Sequence, residues 1–254
     1  MSVEAADLVV YGSADMRESD TGAQGGAIDE TTRVVFDSSS LANTLNDTVD
    51  VVSSNAGDTT QTVTVTGRSA SGSIVTEELE LNGTTTVNGS VEFERILKVV
   101  IDASHAGTVT LTKNTGGSTV VAIETGVLEV RRPFYNVSAD VSGGSSRDFY
   151  EKVFVKNNDT VNALLACTIS EQADPESQIT FAVEDAQDDN GTSTNRITAP
   201  AGITGDGFSG SAKTIPGTDL APESAIGVWL KLTLPAGDPA TKTTYTLRAA
   251  GSTT

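Results

Sequence analysis

One histidine, one cysteine and 34 carboxylates bear most of the reactive potential of this 254-residue chain. His105 stands in Ser104-His105-Ala106-Gly107 between two strand-like runs. A multi-histidine metal site cannot be built within one such chain, and a nucleophile triad would need a serine and an orienting carboxylate for which no local motif speaks. His105 therefore reads as a turn histidine facing solvent. Cys167 lies on the apolar face of Ala163-Leu164-Leu165-Ala166-Cys167-Thr168-Ile169 and reads as a small buried hydrophobe. As the sole cysteine it excludes an internal disulfide and a multi-cysteine zinc site, and it fits assembly in a reducing cytoplasm.

Neighbouring carboxylates such as Glu77-Glu78 and Asp188-Asp189 have the residue types that divide acid and base roles in glycoside hydrolysis. In so acidic a chain such pairs arise often, and with 5% aromatic residues there are few platforms for a sugar ring. The loop from Glu184 to Gly191 offers hard oxygen ligands to Ca²⁺. Counted from Asp185, however, the glycine of a calcium loop arrives one residue late, and Arg196 stands where the bidentate glutamate belongs. A solvated acidic loop is expected, with Ca²⁺ binding left open.

Gly205-Asp206-Gly207-Phe208-Ser209-Gly210 matches a dinucleotide fingerprint, but Ser211 to Gly217 cannot run as the helix that would hold a pyrophosphate. Asn82-Gly83-Thr84 and Asn190-Gly191-Thr192 fit a glycosylation frame and read as turns. The sequence thus names no catalytic, cofactor-binding or metal-ligating residue, no cofactor, and no enzyme.

The elements that would position any site are strands. Thr62 to Leu81 alternates valine with threonine, turns through Gly67 to Ser73, and ends in alternating leucine and glutamate, the period-two pattern of a half-buried hairpin. Val63, Val65, Val75, Leu79 and Leu81 are expected inward, with Thr62, Thr64, Thr66, Glu78 and Glu80 outward. Phe93, Leu97, Val99 and Ile101 share one face of a further strand, with Ile96, Lys98 and Val100 on the other. Leu165, Cys167 and Ile169 point inward in another. Val228, Leu230, Leu232 and Leu234 oppose Trp229, Lys231 and Thr233 in the last long one.

No helix of twelve residues is expected. Asp7 to Tyr11 reads as a short strand, whereas Gly12 to Thr32 carries almost no periodic apolar signal and reads as an extended arm that orders on a partner and can be deleted without loss of the fold. The expected organisation is all-β: an N-terminal strand and arm over 1–32, a first sandwich over 33–132, a linker over 133–147 and a second sandwich over 148–254. The sandwiches are expected to be immunoglobulin-like or jelly-roll-like.

The formal net charge of −18 disfavours wrapping nucleic acid or binding an anionic membrane, since both need clustered Lys and Arg. Met1 to Asp7 lacks a basic region followed by an apolar run, so no signal peptide is expected. No stretch approaches the roughly 18 apolar residues of a membrane span.

Four stretches carry a resemblance: Asp7-Leu8-Val9-Val10-Tyr11-Gly12-Ser13-Ala14, Thr62 to Gly83, Phe93-Glu94-Arg95-Ile96-Leu97-Lys98-Val99, and Ala225-Ile226-Gly227-Val228-Trp229-Leu230-Lys231-Leu232-Thr233-Leu234-Pro235. Together they resemble β-rich virion structural proteins of tailed bacteriophages. The resemblance implies a non-enzymatic decoration or cement protein on the capsid, or a tail, neck or fibre component. Its partners would be the major capsid protein or other virion subunits, and it would be a homo-oligomer located in the virion. From a different class, a carbohydrate-binding or carbohydrate-cleaving β-sandwich stands as a further alternative.

Overall fold

The computed structural model describes residues 2–36, 41, 44–135, 137, 145–174, 177–203, 207–237 and 244–253. Among them the only helix is a single 3-10 turn, Ala5–Asp7, and the rest of the regular structure is strand. The all-β expectation therefore holds, and no helix of the described residues is long and apolar enough to cross a membrane.

The chain divides into two compact units, a discontinuous one of residues 1–29 with 136–254 and a continuous one of residues 30–135. In chain order the strands are β1 (Leu8–Met16), β2 (Gln24–Val34), β3 (Val49–Ser53), β4 (Thr62–Arg68), β5 (Ile74–Glu80), β6 (Val87–Asn88), β7 (Arg95–Ile101), β8 (Val109–Lys113) and β9 (Thr119–Ile123). They continue with β10 (Glu129–Arg131), β11 (Arg147–Asn157), β12 (Leu165–Ala173), β13 (Ile179–Gln187), β14 (Thr192–Ser193), β15 (Lys213–Thr214), β16 (Ala225–Leu234) and β17 (Thr246–Ser252). Most of the expected linker, residues 136 and 138–144, lies outside the described residues.

The continuous unit is sandwich-like. One sheet carries β10-β7-β4-β5, with the end of β2 parallel to β10, and the other carries β6-β3-β8-β9. Val63, Val65, Leu79, Val99 and Ile101 of the first sheet share one core with Val49, Val51, Val109, Leu111, Val121 and Ile123 of the second. The β4–β5 hairpin pairs Val63 with Leu79 and Val65 with Glu77, as alternation requires, so Glu77 too falls on the inner face. In β7 the pairing with β4 slips between Thr66 and Gly67, from Lys98 to Ile96. Leu97 is then the extra residue of a bulge, and Ile96 and Leu97 are both buried instead of alternating.

The discontinuous unit holds the series β13-β16-β11-β1-β2, with β14 on β2, and a three-stranded sheet β15-β12-β17. Here the expected arm is corrected. The expected short strand pairs with β11 from Leu8 opposite Asn157 to Tyr11 opposite Phe154, but β1 runs on to Met16 beside β2, and Gln24 and Gly25 of β2 pair with Ser193 and Thr192. Main-chain hydrogen bonds hold this segment, and they need no apolar alternation to form. A second correction concerns Leu165, which is half-buried while Leu164, Cys167 and Ile169 are buried. Ala166 takes φ +50° and the pairing with β17 shifts between Leu165 and Thr168, which resets the inward set by one residue. Val65, Leu79, Leu97 and Leu232 are buried as expected.

Candidate functional site

His105 is buried, not solvent-facing. Its Nδ1 lies 2.6 Å from the Gly107 carbonyl oxygen and its Nε2 lies 2.8 Å from that of Val127. A carbonyl only accepts, so each ring nitrogen can serve its oxygen only as a donor. The turn also holds Asp58, whose carboxylate accepts from Ser53 Oγ (2.6 Å), Ala106 N (2.9 Å) and Gly107 N (3.0 Å). Burial works to raise the Asp58 pKa, but the Ser53 hydroxyl, the two amides and the charge of His105 together hold it below the ordinary carboxylate value.

Asp58 and His105 thus clasp the turn before β8 to the end of β3. Asp58→Ala should cost the continuous unit about 2 to 3 kcal/mol, because three donors, two of them buried, lose a charged acceptor. The sign with pH follows from the lowered value: the contribution is complete above the usual carboxylate range and is lost as pH falls through the folded-state pKa. Urea titrations of both proteins should show a stability gap at neutral pH that narrows in acid.

Cys167 is fully buried. Burial, with the nearby charge of Asp219 adding to it, pushes the thiol up to about 11. Thiolate is the reactive form, so a maleimide should leave the native protein unlabelled at neutral pH and modify one site after denaturation.

The carboxylate neighbours do not act in pairs. Glu77 points inward and accepts through Oε1 from Ser90 N (2.6 Å), Ser90 Oγ (2.9 Å) and Val91 N (3.1 Å), while Glu78 is exposed. Asp188 accepts from Ala225 N at 2.8 Å, and Asp189 turns to Lys152. Asn82 bridges to Thr85 in a turn, and Gly191 leads into β14. Residues 204–206, which hold the first two positions of the glycine-rich match, lie outside the described residues, and Ser209 pairs with Phe181.

The Glu184–Gly191 segment is only in part a solvated acidic loop: Asp185 and Asp188 are exposed, while Glu184 and Asp189 converge on Lys152, a β11 side chain with no exposed surface. Lys152 Nζ donates to Asp189 Oδ1 (2.6 Å) and Gly191 O (3.2 Å) and lies 3.0 Å from Glu184 Oε1. These three acceptors match the three protons of an ammonium. Trp229 Nε1 donates to the same Glu184 oxygen at 2.6 Å, and the rings of Phe154 and Trp229 have their centres 5.0 and 5.8 Å from Nζ. Burial works to raise the Asp189 pKa, yet the Lys152 ammonium and the Gly191 amide hold it down, with a Glu184 contact adding to them.

Glycines make room for this cluster. A Cβ on Gly227 would meet Glu184 Cγ and Lys152 Cε, each at 2.7 Å. Gly25, at φ +96°, has its carbon against the Trp229 ring and the Gly191 carbonyl, where a side chain would be strained as well as crowded.

Arg196, the residue that breaks the calcium pattern, is also buried. Its guanidinium lies 3.8 Å from Asp20, 4.0 Å from Glu151 and 5.4 Å from the Phe149 ring centre. Among the described residues no group of three or more His, Cys, Asp and Glu side chains is placed to hold a metal ion.

Sequence reasoning passed over Asp58, Lys152 and Trp229 as parts of a site and weighed Glu184 and Arg196 only against a calcium loop. One signal was present: Phe149-Tyr150-Glu151-Lys152-Val153-Phe154 sets two opposite charges inside an otherwise apolar strand, and a strand buried on both faces must pair such charges internally. The chain matches no protein-family model, no curated protein and no solved structure.

Proposed function

We propose that this chain is a structural protein of a tailed-phage virion that decorates the outer surface of the capsid and braces it, with its two units as sandwich-like domains. Its partners on this reading are the major capsid protein or other virion subunits, and it works as a homo-oligomer. The observation that best supports the reading is how the polar groups of the interior are used. Asp58, Glu77, His105, Lys152, Glu184 and Asp189 all bond backbone or one another across strands, which is how a scaffold uses charge. A surface with formal charge −18 favours contact with protein over contact with phosphate.

Antibodies raised against the purified chain test the proposal when applied to intact particles and imaged. Even labelling of the heads is the expected result. Labelling confined to tails moves the assignment to a tail, neck or fibre component. Unlabelled particles, together with binding of the chain to a polysaccharide array, overturn it.

A further inference from the structure

We propose that Lys152 and Asp189 condense to an intramolecular amide, with Glu184 as the proton carrier, so that β11 becomes covalently tied to the loop after β13. The inference stands on the geometry of the buried cluster and does not depend on where the protein works.

The three groups have the chemistry the step needs. The Nζ atom lies 2.6 Å from Asp189 Oδ1, and the carboxyl carbon is one C–O bond from that oxygen, so a small rotation of the carboxyl group brings it to the roughly 3 to 3.5 Å of a near-attack arrangement. As an ion pair the two are unreactive, since an ammonium has no lone pair and a carboxylate repels a nucleophile. Moving one proton from Nζ to the Asp189 carboxylate creates the amine and the carboxylic acid together. Lys152 is wholly withdrawn from water among the Trp229 and Phe154 rings, so bulk solvent does not stabilise the separated charges that this transfer removes.

The amine then attacks Asp189 Cγ. Oδ1 becomes the oxyanion, and the Gly191 amide, 2.6 Å away, already donates to it. Glu184 Oε1, 3.0 Å from Nζ, takes the proton that nitrogen must lose and delivers it to the departing Asp189 hydroxyl, which leaves as water. One C–N bond forms, one C–O bond breaks, and Glu184 ends as it began. The Trp229 Nε1 hydrogen bond holds the Glu184 oxygen in place, and Gly227 leaves the room in which its chain lies against that of Lys152. Glu184 is the weaker acyl candidate, because it lies farther from Nζ and its near oxygen is already engaged by the indole. Fixed proximity replaces an external activating agent, since effective molarities reach about 10⁵ to 10⁸ M in well-oriented intramolecular reactions.

Intact-mass measurement of the denatured full chain tests this directly. The expected mass is that of the sequence less one water, with trypsin failing at Lys152 and fragmentation finding a branched peptide that joins Lys152 to Asp189. Glu184→Gln, which keeps an acceptor for the indole, and Asp189→Ala should each show the full mass of their own sequences. Asp189→Asn should condense with loss of ammonia and so reach the same final mass as the parent protein, a result that no salt bridge would give. A parent protein at full sequence mass overturns the proposal. A missing water located at an Asp-Gly step overturns it as well, and a branch to Glu184 overturns the assigned roles.

Discussion

Removing residues 12–30 should abolish cooperative folding of the discontinuous unit. The deletion takes most of β1 and the first part of β2, together with the buried residues Ser13, Gln24, Gly25 and Gly26. β1 would lose its β2 neighbour, β14 would lose the strand it pairs with among the described residues, and the Trp229 ring would lose the backbone of Gly25 beside it. Unpaired main-chain groups of a central strand carry a desolvation cost that a marginally stable unit cannot absorb, since whole domains are stable by only about 5 to 15 kcal/mol. Trp229 is the sole tryptophan and lies in this unit, so its fluorescence reads the outcome without interference. A red-shifted spectrum with no cooperative urea transition is expected. A blue-shifted spectrum and a sharp transition would return the segment to the status of a dispensable arm.

Trp229→Ala should cost the same unit about 3 to 5 kcal/mol, the range for deleting a buried aromatic ring. Trp229 is fully buried, and its loss leaves a cavity beside Lys152 while taking the indole N–H from Glu184. Trp229→Phe separates the two effects. It retains most of the ring and removes only the donor, so its cost should be nearer about 1 to 3 kcal/mol. Calorimetry of the parent and both variants checks the ordering. A loss under roughly half a kcal/mol for the alanine variant, the range of surface changes, would contradict the position assigned to the ring.

These two expectations rest on parts of the molecule that differ in how visible they are in the chain. The tryptophan sits in Ala225–Leu234, where alternation marks a strand, although only the structure shows that Trp229 is as buried as Val228 and Leu230. The arm reading of 12–32 failed because its strands are held by backbone pairing to each other and to β14, far along the chain, while its side chains are mostly small or polar. The Leu165 face failed for a smaller reason, since a single left-handed residue at Ala166 shifts a period-two pattern by one.

What the sequence by itself determined is the β character, the β4–β5 hairpin and most of the inward-facing set, because strand alternation is a local property written in successive residues. The tertiary structure alone decided the burial of His105 against Val127, 22 residues away, and the meeting of Lys152 with Asp189, 37 residues away. Neither residue has a motif around it. A buried charge is tolerable only where folding brings its partners, and those partners come from other strands and loops.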